Sequence, residues 1–122
     1  MGKRILAVDD DRVVLQFIRN VLTPHGYDVT CVDGGQAAID ILKEQTFTCV
    51  ILDFYMPEKD GLDVIDSMYK RKDRTPTIVF SAKLEAHYEA AVQGFGIVRE
   101  VLKKPCTPAK LVETVDRFSA QE

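Results

Sequence analysis

The chain has 122 residues, 46% of them apolar and 29% charged, which suits one folded domain and excludes a disordered segment. Its net charge of −3 argues against non-specific binding to nucleic acid, and no apolar run reaches membrane-spanning length. Three scattered cysteines, Cys31, Cys49 and Cys106, lack metal-ligand spacing and point to a reduced, cytoplasmic setting.

Residues 4–8 read as a strand that runs into Asp9, Asp10 and Asp11. Val13, Val14, Phe17, Ile18, Val21 and Leu22 then recur at helical spacing. Asp11 caps that helix, and Pro24, His25 and Gly26 end it, with His25 solvated in the turn. Residues 27–32 alternate as a second strand, and Gly34-Gly35 opens a helix that turns Ala38, Ile39 and Leu42 to the sheet. Residues 49–52 are an unbroken apolar run, the pattern of a strand buried on both faces, and Asp53 stands where it stops. Asp60 is placed to cap a third helix bearing Leu62, Ile65 and Met68. Residues 77–80 make a fourth strand that leads into Ser81, Ala82 and Lys83, and Tyr88, Ala91, Val92 and Phe95 fit a fourth helix facing the core. Residues 100–103 make the fifth strand, which stops at Lys104-Pro105. Thr107 followed by Pro108 is a strong start for a last helix that buries Leu111, Val115 and Phe118.

Five strands alternating with five helices predict a single α/β domain over residues 1–122, a flavodoxin-like doubly wound parallel sheet with strand order 2-1-3-4-5. In that order four strands end side by side, so Asp9, Asp10, Asp53, Ser81 and Lys104 collect at one rim. Two unit charges ~5 Å apart at an effective dielectric of ~20 repel by roughly 3 kcal/mol, so three carboxylates there call for a cation. A hard divalent ion, Mg²⁺ above all, meets that need, while Lys104 offers a fixed positive charge to an anion and Ser81 a hydroxyl donor. Taken singly, Lys104 is an ordinary strand-end lysine and Ser81 a turn residue; it is their joint placement with three aspartates that indicates phosphoryl chemistry. The basic cluster Lys70, Arg71, Lys72 and Arg74, interrupted by Asp73, reads as a solvated helix end. Cys31 and Cys49 read as small core hydrophobes; Cys106 lies beside Lys103 and Lys104, cations of the kind that lower a thiol pKa, but no redox role is expected of it.

These pieces together resemble the receiver domain of two-component response regulators, the CheY-like superfamily. The residues that carry the resemblance are Asp9-Asp10-Asp11 after an apolar strand, Val50-Ile51-Leu52-Asp53, Met56-Pro57 with Asp60-Gly61, Phe80-Ser81-Ala82 and Lys104-Pro105, and they span the whole chain. The resemblance implies that Asp53 accepts a phosphoryl group from a sensor histidine kinase or a histidine phosphotransfer protein. It further implies Mg²⁺, for which Mn²⁺ can substitute, bound by Asp10, by Asp9 largely through water, by Asp53 and by the backbone carbonyl of Tyr55. Ser81 and Lys104 would hold the phosphoryl oxygens, the Lys104-Pro105 bond would be cis, and the output would pass to a downstream protein or a fused output domain around the fourth helix, fifth strand and fifth helix. The resemblance implies a cytoplasmic phosphoacceptor with autophosphorylation and autodephosphorylation capacity only, not an enzyme in its own right, and no direct contact with nucleic acid or membrane.

The sequence departs from the family pattern at Val101, where the switch aromatic is expected, and in residues 94–99, which form a longer connection than usual into strand five. Tyr55 and Lys83 border the path by which water reaches the phosphoryl group and are expected to modulate its lifetime. Three other readings compete with this one. A flavodoxin-like electron carrier would need a hydroxyl-rich phosphate loop after strand one, where three aspartates would repel the flavin phosphate. A Mg²⁺-dependent phosphohydrolase would want an acid two residues after Asp53, where Tyr55 stands; a receiver-fold interaction module acting without phosphorylation would have no need of the acidic set.

Overall fold

Asp11, Asp60 and Thr107 each fix where a helix begins, and apolar runs between them fix the strands. A computed structural model describes residues 2–119, the side chains of Ala86, His87 and Ala91 aside, so the expected core role of Ala91 lies outside the described residues. The elements in chain order are β1 (Arg4–Val8), α1 (Arg12–Leu22), β2 (Asp28–Val32), α2 (Gly35–Glu44), β3 (Cys49–Leu52), α3 (Gly61–Lys70), β4 (Thr77–Ser81), α4 (Ala86–Gly94), β5 (Val98–Lys103) and α5 (Pro108–Ser119), with a short 3₁₀ turn at Thr23–His25. Asp11 accepts the Val13 N–H, Asp60 and Asp63 satisfy each other's backbone N–H groups in a capping box, and the Thr107 hydroxyl accepts the Lys110 N–H.

All strand pairs are parallel and the order is β2-β1-β3-β4-β5, so the expected flavodoxin-like doubly wound sheet is the observed one. Side chains alternate between its two faces and both are covered. Ile5, Ala7, Cys49, Ile51, Ile78 and Phe80 pack under Leu15, Ile18 and Leu22 of α1 and Leu111, Val115 and Phe118 of α5. Leu6, Val8, Val50, Leu52 and Val79 pack under α2, α3 and α4 through Ala38, Leu42, Val64, Ile65, Met68 and Val92. Each fully buried leucine or isoleucine contributes about 1.5–3 kcal/mol, so the sheet centre is the stable part of the molecule. Gly35 lets α2 approach the loop after β3, since a Cβ there would sit 2.1 Å from the Lys59 carbonyl oxygen.

Two expectations are corrected. Val13 is 77% exposed and Leu15 is buried in its place. At ~100° per residue Val13 stands half a turn from the face that Leu15, Ile18 and Leu22 commit to the sheet. The connection into strand five is also shorter than expected, because β5 begins at Val98 and leaves only residues 95–97 between it and α4. Thr77 pairs with Val98 but Ile78 with Glu100, so the additional length is taken up as a bulge at the exposed Arg99.

Candidate functional site

Val8 and Leu52 are partners across the β1/β3 pair, so Asp9 and Asp53 leave the sheet side by side. Backbone bonds pin these exits: Asp53 N–H donates to the Val8 carbonyl at 2.8 Å, Asp9 N–H to Val32 at 3.2 Å and Lys104 N–H to Ser81 at 2.9 Å. The parallel sheet thus brings strand ends from four places in the sequence to one edge, where ligands of such folds bind.

Asp9 and Asp53 are only 1% and 7% exposed, while Asp10 faces solvent. Lys104 Nζ lies 2.7 Å from Asp9 Oδ2 and 3.4 Å from Asp53 Oδ1, and 5.6 Å from the centre of the Phe80 ring. The other oxygen of Asp9 accepts the Asp11 N–H at 2.9 Å, which fixes the carboxylate plane. Burial, then the charge of Asp9, pushes the Asp53 carboxyl up to about 6 against the opposing pull of Lys104. Burial alone would lower Lys104, but its hydrogen bond to Asp9 and the charges of Asp53 and Asp9 outweigh that and raise it. Around Lys104, the three aspartates outweigh its single ammonium and leave that corner of the cleft net negative.

Carboxylate oxygens of Asp9, Asp10 and Asp53 all lie within 4.8 Å of one another. All-oxygen donors at that spacing, under mutual repulsion and open to water on the Asp10 side, fit a hard dication that keeps several water ligands. Beside them Asp53, Tyr55, Ser81, Lys83, Glu85 and Lys104 line an open cleft of about 410 Å³. Ser81 Oγ donates to the Lys83 carbonyl at 3.3 Å, and Lys83 itself is exposed. The Lys104-Pro105 peptide bond is cis, as expected.

One contact at this edge has no signature in the sequence. The Glu85 N–H donates to the Tyr55 hydroxyl at 3.1 Å, and the Tyr55 ring meets Phe54 and Tyr88 at centroid distances of 5.1 and 6.0 Å. Tyr55 therefore ties the start of α4 to the loop after β3. A backbone donor 30 positions away leaves no residue-type signal; only the helical spacing of Tyr88 pointed in that direction. Val101 lies away from the cleft, paired with Val79 and half-buried against the cluster under α2, α3 and α4. The lysines next to Cys106 in sequence do not set its pKa: burial raises it, with Lys110 the opposing cation.

The family model of the response regulator receiver domain matches residues 5–116. The chain is 31% identical over 122 residues to the chemotaxis protein CheY of Thermotoga maritima, covering 98% of this chain and 99% of that protein. It is 37% identical over 83 residues to the response regulator MprA of Mycolicibacterium vanbaalenii, covering 68% of this chain but only 36% of the regulator's length. Among solved structures, the receiver domain of a sensor histidine kinase from Pseudomonas aeruginosa, with a magnesium ion coordinated in its active-site cleft, superposes with a TM-score of 0.88 at 27% identity, covering 99% of this chain and 100% of that one.

Proposed function

The chain belongs to the response regulator receiver domain family, and from that membership we propose that it is the phosphoacceptor of a two-component or phosphorelay pathway, taking a phosphoryl group on Asp53 and switching its output surface in response. The observation that carries this reading is the convergence of Asp9, Asp10, Asp53 and Lys104 at one edge of the sheet. Asp9, Asp10, Asp53 and the backbone carbonyl of Tyr55 are the groups that would hold Mg²⁺, or Mn²⁺ in its place. The bound dication supplies positive charge that offsets the carboxylates and attracts phosphoryl oxygens. The magnesium seen in the Pseudomonas aeruginosa receiver supports the assignment.

A carboxylate oxygen of Asp53 attacks the phosphorus of a phosphohistidine on a sensor histidine kinase or histidine phosphotransfer protein. The new O–P bond forms as the P–N bond breaks, and the leaving imidazole keeps the electron pair. Lys104, now 3.4 Å from Asp53, is placed to pair with a phosphoryl oxygen, and Ser81 exchanges its bond to the Lys83 carbonyl for another. An aspartyl phosphate adds about −1.5 to −2 of charge, enough to favour a state in which these donors have moved. The Tyr55 tie to Glu85 puts that motion in contact with α4, while Val101 leaves the usual aromatic coupling out. Tyr55 and Lys83 flank the path of attacking water and slow loss of the phosphoryl group. Equal lifetimes in the wild type and a Tyr55→Asn, Lys83→Ala double variant would remove that role from them. Output passes to a downstream protein or a fused domain. The protein acts in the cytoplasm as a signalling domain and not as an enzyme with turnover.

Incubation with acetyl phosphate and Mg²⁺ followed by intact mass tests the proposal. One added phosphoryl group is expected with Mg²⁺ or Mn²⁺, none with a chelator and none for Asp53→Asn. A mass that never changes would favour the interaction module, and steady hydrolysis of a phosphate ester would favour the phosphohydrolase.

A further inference from the structure

At the opposite end of the sheet, where the strands begin, a groove of about 510 Å³ opens between the end of α3 and the segment that leads into β5. Tyr69, Lys70, Lys72, Arg74, Phe95 and Ile97 line it. Tyr69 is 56% exposed although it is a large apolar ring, and it meets Phe95 edge to face at 5.1 Å, giving the groove an aromatic wall.

The charges around that wall are unbalanced. Lys70 pairs with Asp66 at 3.0 Å. Among the described residues the one acid in the lining is Asp73, already engaged by the hydroxyl and N–H of Thr75 and, more distantly, by Arg71. Among the described residues Lys72 and Arg74 make no ion pair. With Lys70, Lys72 and Arg74 against Asp73, the lining of this groove is net positive beside an exposed aromatic pair, in a chain of net charge −3.

Lys72 is costly where it stands. Its φ is +59°, its N–H donates to the Tyr69 carbonyl at 3.0 Å and the Asp73 N–H to Met68 at 2.8 Å. That is the left-handed position closing a helix, one that glycine fills without strain. A lysine held there is not explained by the fold.

We infer that this groove is a docking surface for an acidic segment of a partner protein that presents an aromatic side chain to the Tyr69–Phe95 wall and carboxylates to Lys72 and Arg74. Free phosphate would leave the aromatic wall unused. A nucleic-acid backbone asks for a longer run of cations than two, on a less acidic protein. The surface is independent of Asp53 and serves recognition whether or not that residue is phosphorylated.

The test uses the full isotope-labelled chain and, as probe, a short peptide of aspartates and glutamates around one phenylalanine. Backbone amide shifts are expected to move and saturate around Tyr69, Lys72, Arg74 and Phe95, to weaken with salt, and to weaken when glycine replaces the probe's phenylalanine. Lys72→Glu with Arg74→Glu should reduce affinity about tenfold or more. Lys72→Gly separates recognition from folding: the melting temperature should hold or rise while affinity falls. Shifts scattered over the surface, affinity that survives the double reversal, or equal binding of an oligonucleotide of the same charge would overturn the proposal.

Discussion

β1 and β3 cross from a packed apolar interior to a rim of buried charge within one residue. Val8 and Leu52 are buried among aliphatic side chains, whereas Asp9 and Asp53, the next residues, are almost as buried but are carboxylates that repel each other. The backbone is continuous and the depth is nearly the same, so the difference lies in side-chain chemistry alone. The interior is arranged for packing, whereas the rim gathers like charges at some expense to stability.

Three substitutions test that contrast. Leu6→Ala, in the fully buried part of β1, should cost about 2–5 kcal/mol in denaturant unfolding, because the closely packed sheet cannot collapse onto the cavity. A cost well below that would mean that the interior is looser than its packing implies. Lys104→Met should cost less, about 1–3 kcal/mol near neutral pH without divalent metal, since it removes the one ammonium that, among the described residues, lies within bonding reach of the buried Asp9. No loss would show that the pair is not what holds the rim together.

Asp53→Asn should be the smallest and opposite in sign, a gain of about 1 kcal/mol without metal. The folded-state pKa of Asp53, about 6, lies above its ordinary value of 3.8, so the folded chain binds that proton more tightly than the unfolded chain. Its contribution to stability is fully present below pH ~4 and is lost as pH rises through about 6. The variant's advantage should therefore appear above pH 6 and vanish near pH 4 in paired thermal melts. Mg²⁺ should stabilise the wild type more than the variant; equal responses at every pH would contradict the electrostatic account of the rim.

Much of this rim is legible in the sequence because strand ends leave local marks. The apolar run 49–52 stopping at Asp53, the aspartates after residue 8 and the cap at Thr107 need no tertiary information, and α/β alternation then places them together. What local pattern does not carry is set by partners distant in the chain. The bulge at Arg99 depends on how β5 registers against β4, and the exposure of Val13 depends on which face of α1 the sheet receives. The bond from Glu85 to Tyr55 joins a backbone N–H to a side chain that only the fold brings near. Cys106 shows the same limit: adjacent lysines suggested a lowered pKa, and burial decided otherwise.

On the proposed function, Asp53 and no other carboxylate of the rim carries the phosphoryl group. Borohydride reduces an aspartyl phosphate to homoserine, so treating the chain after acetyl phosphate and Mg²⁺ and mapping its peptides by mass spectrometry reads out the acceptor position directly. Homoserine at position 53 is the predicted result; homoserine at position 9 or 10, or none at any position, would contradict it.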